Sequence, residues 1–207
     1  MSGLTAGPGR FIGASVQRRE DPRLLTGHGH YVDDIVLPGM LHAAFLRSPI
    51  ARGRIERIDL TEASQAPGVV AVFTGHDLQA DAASLWNFGT DAYPFPAIPA
   101  LAVDDVRFVG DPVAVVIAES RYLAEDAAEM IDVEYDFQTP VIGREPATRD
   151  AEIVHPELGS NLAWSMSVEE PDVAAALATC ARVVTETIHQ HRHVNVPMEG
   201  RAIIAHC

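Results

Sequence analysis

VRFVGDPVAVVIAESRYLAEDAAEMIDVEYDF, residues Val106–Phe137, decides the fold. Gly110-Asp111-Pro112 is a turn signal, because Gly tolerates unusual dihedrals and Pro presets φ. Val113 to Ala118 is an unbroken apolar run rich in β-branched residues, as expected of a strand buried on both faces. Ser120 can cap the helix that comes next. Leu123, Ala127 and Met130 then recur at helical spacing on one face, with Glu125, Asp126 and Glu129 on the other. Ile131, Val133, Tyr135 and Phe137 alternate with Asp132, Glu134 and Asp136, the pattern of a strand with one wet face. The stretch therefore predicts strand, turn, strand, helix and strand in one compact α/β unit.

Outward from this unit, Leu41–Leu46, Arg54–Leu60 and Val69–Phe73 read as further strands. Thr61 is expected to cap a short helix reaching Gln65, stopped by Pro67-Gly68. Residues 79–100 carry Pro94, Pro96 and Pro99 among Trp86, Phe88, Tyr93 and Phe95, with no period. A loop of that length either covers its own core or contacts another surface. Arg18, Arg19, Glu20, Asp21 and Arg23 form a mixed-charge cluster, read as a solvated face ahead of the turn at Gly27 and Gly29.

Residues 1–16 read as a flexible N-terminal arm, residues 17–140 as the first domain, and the Pro-rich residues 141–160 as a linker. Residues 161–207 read as the incomplete start of a second domain. That segment predicts strands at 162–168, 182–194 and 200–205, with a helix from Asp172 to about Thr179. Ile203-Ile204-Ala205 is expected to pair with more sheet, so the second domain reads as cut short or as completed by another polypeptide.

Composition narrows the function. A net charge of −14 argues against a nucleic-acid surface, since phosphate would be repelled. The cysteines Cys180 and Cys207 form no CxxC pair, so neither a disulfide scaffold nor a Cys-ligated cluster is expected. The apolar runs are too short to span a bilayer, and the N-terminus lacks a secretory core. The expectation is a soluble cytoplasmic protein without a membrane or nucleic-acid partner.

Few residues suggest chemistry. His189, His191 and His193 alternate on the predicted strand and would share a face. Residues 189 and 193 would lie about 13 Å apart on a straight strand, so the three could not converge on one ion without a bulge. A polar strand face lining an interface is the competing reading. Met198-Glu199-Gly200-Arg201 reads as structural. No dinucleotide fingerprint, Walker lysine or GxSxG elbow is present. No catalytic, cofactor-binding or metal-ligating residue is assigned.

Several stretches together nevertheless resemble a family. They are RREDPRLLTGHGHYVDDI (18–35), GMLHAAFLRSPIARGRIERID (39–59), APGVVAVFTGHDL (66–78), VRFVGDPVAVVIAES (106–120), IDVEYD (131–136) and NVPMEGRAIIA (195–205). In this order they resemble the N-terminal part of the large, molybdopterin-binding subunit of the xanthine dehydrogenase, aldehyde oxidase and aerobic carbon monoxide dehydrogenase family. The carbon monoxide dehydrogenase-like branch is favoured; it often writes R-x-H-x-x-x-P-M-E-x-R where this chain has HRHVNVPMEGR (191–201).

The resemblance implies an α/β (α+β) fold: an a/b hammerhead domain at 17–140, then the first elements of a molybdopterin-binding domain. It implies a hydroxylase in which molybdenum on a pterin, of the cytosine dinucleotide type, delivers water-derived oxygen to a carbon centre. A carboxylate is the family's general base, and the carbon monoxide branch adds copper held by a cysteine. Electrons would pass through 2Fe-2S clusters to FAD on partner subunits. The implied partners are the remaining molybdopterin-binding polypeptide, the FAD and 2Fe-2S subunits, and a small-molecule substrate: carbon monoxide, an aldehyde, a purine or another N-heterocycle.

The family's S-T-Q-type strand, Gly-Gly-Phe-Gly loop, active-site loop and late catalytic Glu are not in this sequence, and the context of Cys207 does not match the copper loop. The chain alone is therefore not expected to be catalytic. Two other readings stand beside the enzyme subunit: a stand-alone hammerhead module or truncated remnant that binds without catalysis, and a small metal-binding protein using the histidine face.

Overall fold

The computed structural model describes residues 15–79, 96, 98–162, 164–168, 170–191, 193–197 and 199–206. Most of the expected N-terminal arm lies outside these residues. So do Trp86, Phe88, Tyr93 and Phe95 of the aromatic loop, and Arg192, Met198 and Cys207.

In chain order the elements are α1 (Asp21–Leu25), β1 (His42–Arg47), β2 (Gly53–Asp59), α2 (Thr61–Gln65), β3 (Val69–Thr74), α3 (Gly75–Leu78), β4 (Asp105–Val106), β5 (Pro112–Ala118), α4 (Arg121–Glu129), β6 (Asp132–Phe137), α5 (Arg144–Thr148) and α6 (Pro171–Thr179). Single 3-10 turns occupy Val32–Asp34 and Pro156–Leu158. Two compact units result: Gly39–Val184, and the chain up to Pro38 together with the chain from Thr185 on.

The apolar run is the central strand of the larger unit. β5 pairs antiparallel with β1 on one side and β3 on the other, setting Ala44 and Val72 opposite Val116. Its backbone is thus satisfied on both edges, and Val113, Ala114 and Val116 are buried beneath its neighbours. Full burial of each valine contributes roughly 1.5–3 kcal/mol. The second sheet runs β4-β2-β6, also antiparallel, with Ile55 opposite Tyr135 and Ile58 opposite Val133. β5 and β6 are therefore neighbours in sequence but belong to different sheets, and α4 connects the two.

α4 starts where expected: the Leu123 amide donates to Ser120 Oγ at 3.3 Å. Its inner face is not the expected one. Ala124, Ala127 and Ala128 are buried, whereas Met130 lies past the helix and is 45% exposed. Methyl side chains let the helix lie close on the sheet, where Ala127 and Ala128 join Ala63, Ala114, Val116 and Ile131. Leu123 reaches sideways over Gly68 instead. Thr61 is likewise the first residue of α2 and not its cap; its amide is taken by Asp59 Oδ1 at 3.0 Å.

Beyond residue 160, α6 forms as the periodicity predicts. The strands expected at 162–168, 182–194 and 200–205 do not. The described residues there carry no ladder, and nearly all are exposed. Alternation makes a strand only where a partner edge satisfies the backbone, and none of the described strands pairs with these residues.

Gly75 shows how tightly the larger unit is closed. A Cβ there would stand 2.2 Å from the Ala102 carbonyl oxygen, a backbone atom with no room to yield. Ala102 is itself fixed by its amide donating to the Pro112 carbonyl at 2.7 Å. Gly75→Ala is expected to destabilise the chain by about 2 kcal/mol in urea denaturation. An unchanged midpoint would contradict this packing.

Candidate functional site

The polar residues of the larger unit converge where the β5 turn meets the end of β1. Gly110 takes φ +94°, a conformation that favours glycine. Its amide donates to the Ser48 carbonyl, and the Ser48 amide donates to the Asp111 carbonyl, each at 2.8 Å. These bonds carry the β1–β5 pairing past the register shift at Leu46/Arg47. Arg47 Nη1 adds a bond to the Gly110 carbonyl at 2.9 Å.

Ser48 is only 2% exposed. Its Oγ donates to the Ile50 carbonyl (2.9 Å) and accepts from the Ile50 amide (3.2 Å). Asp111 Oδ2 accepts the Arg107 amide at 3.0 Å. Burial pushes the Asp111 carboxyl above the usual carboxylate range, opposed by that amide and by the Arg107 charge. Burial also raises the Tyr135 phenol; its hydrogen bond to Ser48 opposes the rise and the Asp111 charge adds to it.

Chemically this is a seam and not a catalytic dyad. The serine hydroxyl is committed to the Ile50 backbone and the Tyr135 phenol, and neither a histidine nor a lysine takes part in these contacts to serve as its base. What the seam does is hold β1, β5 and β6 at one point.

Two arginines extend the hold to later residues. Arg52, with a side chain 12% exposed, donates to the Thr139 carbonyl (2.9 Å) and the Ile153 carbonyl (2.8 Å) and lies 3.5 Å from Glu152. Arg107 Nε donates to the Val154 carbonyl at 3.4 Å. Asn161 closes the segment on itself, accepting the Val154 amide and donating to the Glu152 carbonyl. In the other unit, Glu199 Oε1 accepts the Val32 amide at 2.9 Å, tying Val32–Asp34 to a residue 167 positions away. The sequence singled out Glu199 as structural without naming this partner. It gave no signal for Arg52, because an arginine that buries to bind carbonyls looks like any other.

A cavity of about 200 Å³ lies against α3, lined in part by Gly75, Leu78, Leu101, Asp104 and Arg107. It falls short of the ~300–1,000 Å³ usual for ligand sites. The histidines are exposed and lie on no strand, so the shared face expected of His189, His191 and His193 loses its basis. Gln190 Nε2 lies 3.0 Å from His193 Nε2. Among the described residues no group of three or more His, Cys, Asp or Glu is placed to hold a metal ion, and no helix is long and apolar enough to cross a membrane.

Comparison with known proteins identifies the architecture. The family model for the aldehyde oxidase and xanthine dehydrogenase a/b hammerhead domain matches residues 26–139. The nicotine 6-hydroxylase large subunit of Paenarthrobacter nicotinovorans is 36% identical over 195 residues, 94% of this chain and 24% of that protein. The carbon monoxide dehydrogenase large chain of Hydrogenophaga pseudoflava is 46% identical over 124 residues, 60% of this chain and 15% of that one. The crystal structure of quinoline 2-oxidoreductase from Pseudomonas putida 86 superposes with a TM-score of 0.61 at 46% identity, covering 68% of this chain and 18% of that one. The chain thus spans about a quarter or less of these relatives' length.

Two substitutions test the seam and its extension. The raised Asp111 value means that its contribution to stability is fully present below the unfolded carboxylate pKa of about 3.9 and is lost as pH rises through the folded value. Asp111→Asn keeps an acceptor for the Arg107 amide and removes this loss. Its stability relative to the parent is therefore expected to rise between about pH 4 and pH 7 in urea titrations; a pH-independent difference would contradict the burial. Arg52→Met is expected to cost about 3 kcal/mol and to open residues 139–154 to proteolysis, with Arg52→Lys restoring only part, since an ammonium cannot fork to both carbonyls. Unchanged proteolysis would contradict the staple.

Proposed function

This chain belongs to the aldehyde oxidase and xanthine dehydrogenase hammerhead family, and we propose that it serves as the front segment of the large subunit of a molybdenum hydroxylase. In this reading residues 17–140 are the hammerhead domain, 141–160 are a linker, and 161–207 begin the molybdopterin-binding domain. The observation that carries it is the match over 94% of the chain to the nicotine 6-hydroxylase large subunit, of which that match is 24%.

The working complex would sit in the cytoplasm. It would hold molybdopterin in its cytosine dinucleotide form on the remaining large-subunit polypeptide, with FAD and 2Fe-2S clusters on partner subunits. Bound there, the group would supply the redox chemistry that hydroxylates a small molecule with oxygen from water. The described residues of this chain do not fit that group. The cavity is too small, its lining includes Asp104 and Asp105 against the one arginine Arg107, and among the described residues no metal-ligating cluster is found. This chain's part is therefore scaffolding: a stable body that fixes the path of the backbone through the Arg52 and Arg107 staples.

Within the family, the carbon monoxide dehydrogenase-like branch is supported by 46% identity over the best-matched 124 residues. Hydroxylation of an N-heterocycle is the second reading. It is supported by equal identity to quinoline 2-oxidoreductase and by the 94% coverage with the nicotine 6-hydroxylase large subunit.

The test is metal and mass analysis of the tagged chain purified from its own host. Molybdenum is expected in company with a larger polypeptide, flavin and iron. Recovery of the chain alone and free of molybdenum would overturn the reading in favour of a stand-alone module.

A further inference from the structure

The two sheets of the larger unit treat their outer faces in opposite ways. On β2 and β6 the outward positions are charged: Arg54 stands opposite Asp136, Arg57 opposite Glu134, and Asp59 opposite Asp132. Arg57 alone reaches Glu134 at 2.7 Å, Asp59 at 2.9 Å and Asp132 at 3.0 Å. That is a face built for water.

The equivalent positions of β1, β5 and β3 carry no such pairs. Phe45, Val115 and Phe73 form one cross-strand row, and Ala43, Ile117 and Ala71 form the next. Phe45 is 49% exposed and Phe73 37%, while Val115 between them is 7% exposed. Arg47 is the charge beside these rows, its guanidinium 5.8 Å from the Phe45 ring centroid. The inner face of the same strands is already filled by α4, through Ala44, Val72 and Val116.

We infer that the outer face of the β1-β5-β3 sheet is a permanent docking surface for the remaining molybdopterin-binding polypeptide. The inference rests on the functional reading above and adds where on this chain that polypeptide sits. Three observations choose the occupant. In the nicotine 6-hydroxylase large subunit about three quarters of the polypeptide lies outside the region this chain covers, so a large body has to seat against this one. Two aromatic rings flanking a buried valine make a core-like surface, of the kind found in obligate interfaces and not in transient redox encounters. Finally, on a chain of net charge −14 these two rows carry no carboxylate, so docking here desolvates no anion.

The test places a photo-reactive benzoylphenylalanine at position 45 or 73, with position 134 on the charged face as control, in the full chain expressed in its own host. Irradiated complexes are recovered through a tag on this chain, and adducts are mapped by mass spectrometry. Positions 45 and 73 are expected to cross-link to the molybdopterin-binding polypeptide, and position 134 is not. Adducts to a second copy of this chain, to the 2Fe-2S subunit or to residues 80–97 of the same chain would overturn the inference, as would no adduct while the polypeptide still co-purifies. If the polypeptide fails to co-purify with the unmodified chain, the functional reading falls and the inference falls with it. The Phe45→Ser, Phe73→Ser double variant supplies a second readout. Its melting temperature is expected to fall by about a few degrees, because the half-buried rings shield Val115, while recovery of the polypeptide drops about tenfold or more at a temperature where the variant is still folded. Undiminished recovery would count against the surface.

Discussion

β5 is the constraint on which the larger unit depends. A strand with apolar side chains on both faces and neighbours on both edges keeps little contact with water, and only Pro112 and Ile117 of β5 are partly exposed. Its neighbours in that unit are placed by what β5 needs. β1 and β3 complete its hydrogen bonds, and α4 covers one face with alanines small enough to approach. The strands of the second sheet close the space beyond through Ile55, Ile58, Val133 and Tyr135 around Val113. Removing any one cover would expose valines whose burial contributes roughly 1.5–3 kcal/mol each.

The polar residues of this unit are arranged to protect that strand, which explains why the best-formed side-chain network is structural. Ser48 and Asp111 continue the ladder where the register slips, and Asp111 carries the cost of partial burial to do so. Arg52 and Arg107 commit their donors to backbone carbonyls of residues 139–154 and not to a ligand. A scaffold that commits its cations and its buried hydroxyl to its own backbone leaves few groups for chemistry. This fits a division of labour in which the cofactor is held by another part of the family's large subunit.

The strands around β5 were legible in the sequence because each carries its pairing signal locally: apolar runs, alternation, and turns such as Gly110-Asp111-Pro112. The Ser120 cap was legible for the same reason. The inner face of α4 was not, since helical spacing fits Leu123, Ala127 and Met130 as well as Ala124, Ala127 and Ala128. Only the distance to the sheet chooses the smaller set. The strands expected beyond residue 160 failed for a different reason: Val184, Ile188, Val194 and Val196 have the composition of a sheet but pair with none of the described strands. Of the polar network, Gly110-Asp111-Pro112 announced itself as a turn, whereas the roles of Ser48 and Arg52 depend on contacts with residues far along the chain. Recognition of the family came from the order of several weak stretches, none of which carries chemistry by itself.

A hammerhead body whose sheets are closed on β5, followed by residues that join no described sheet, has a direct signature in solution. Hydrogen–deuterium exchange on the isolated chain, read peptide by peptide, reports it. The slowest exchange is expected in Pro112–Ala118 and its neighbours His42–Arg47 and Val69–Thr74, with residues 182–206 exchanging near the rate of an unfolded chain. Strong protection across 182–206 in the isolated chain, or rapid exchange in Pro112–Ala118, would contradict it.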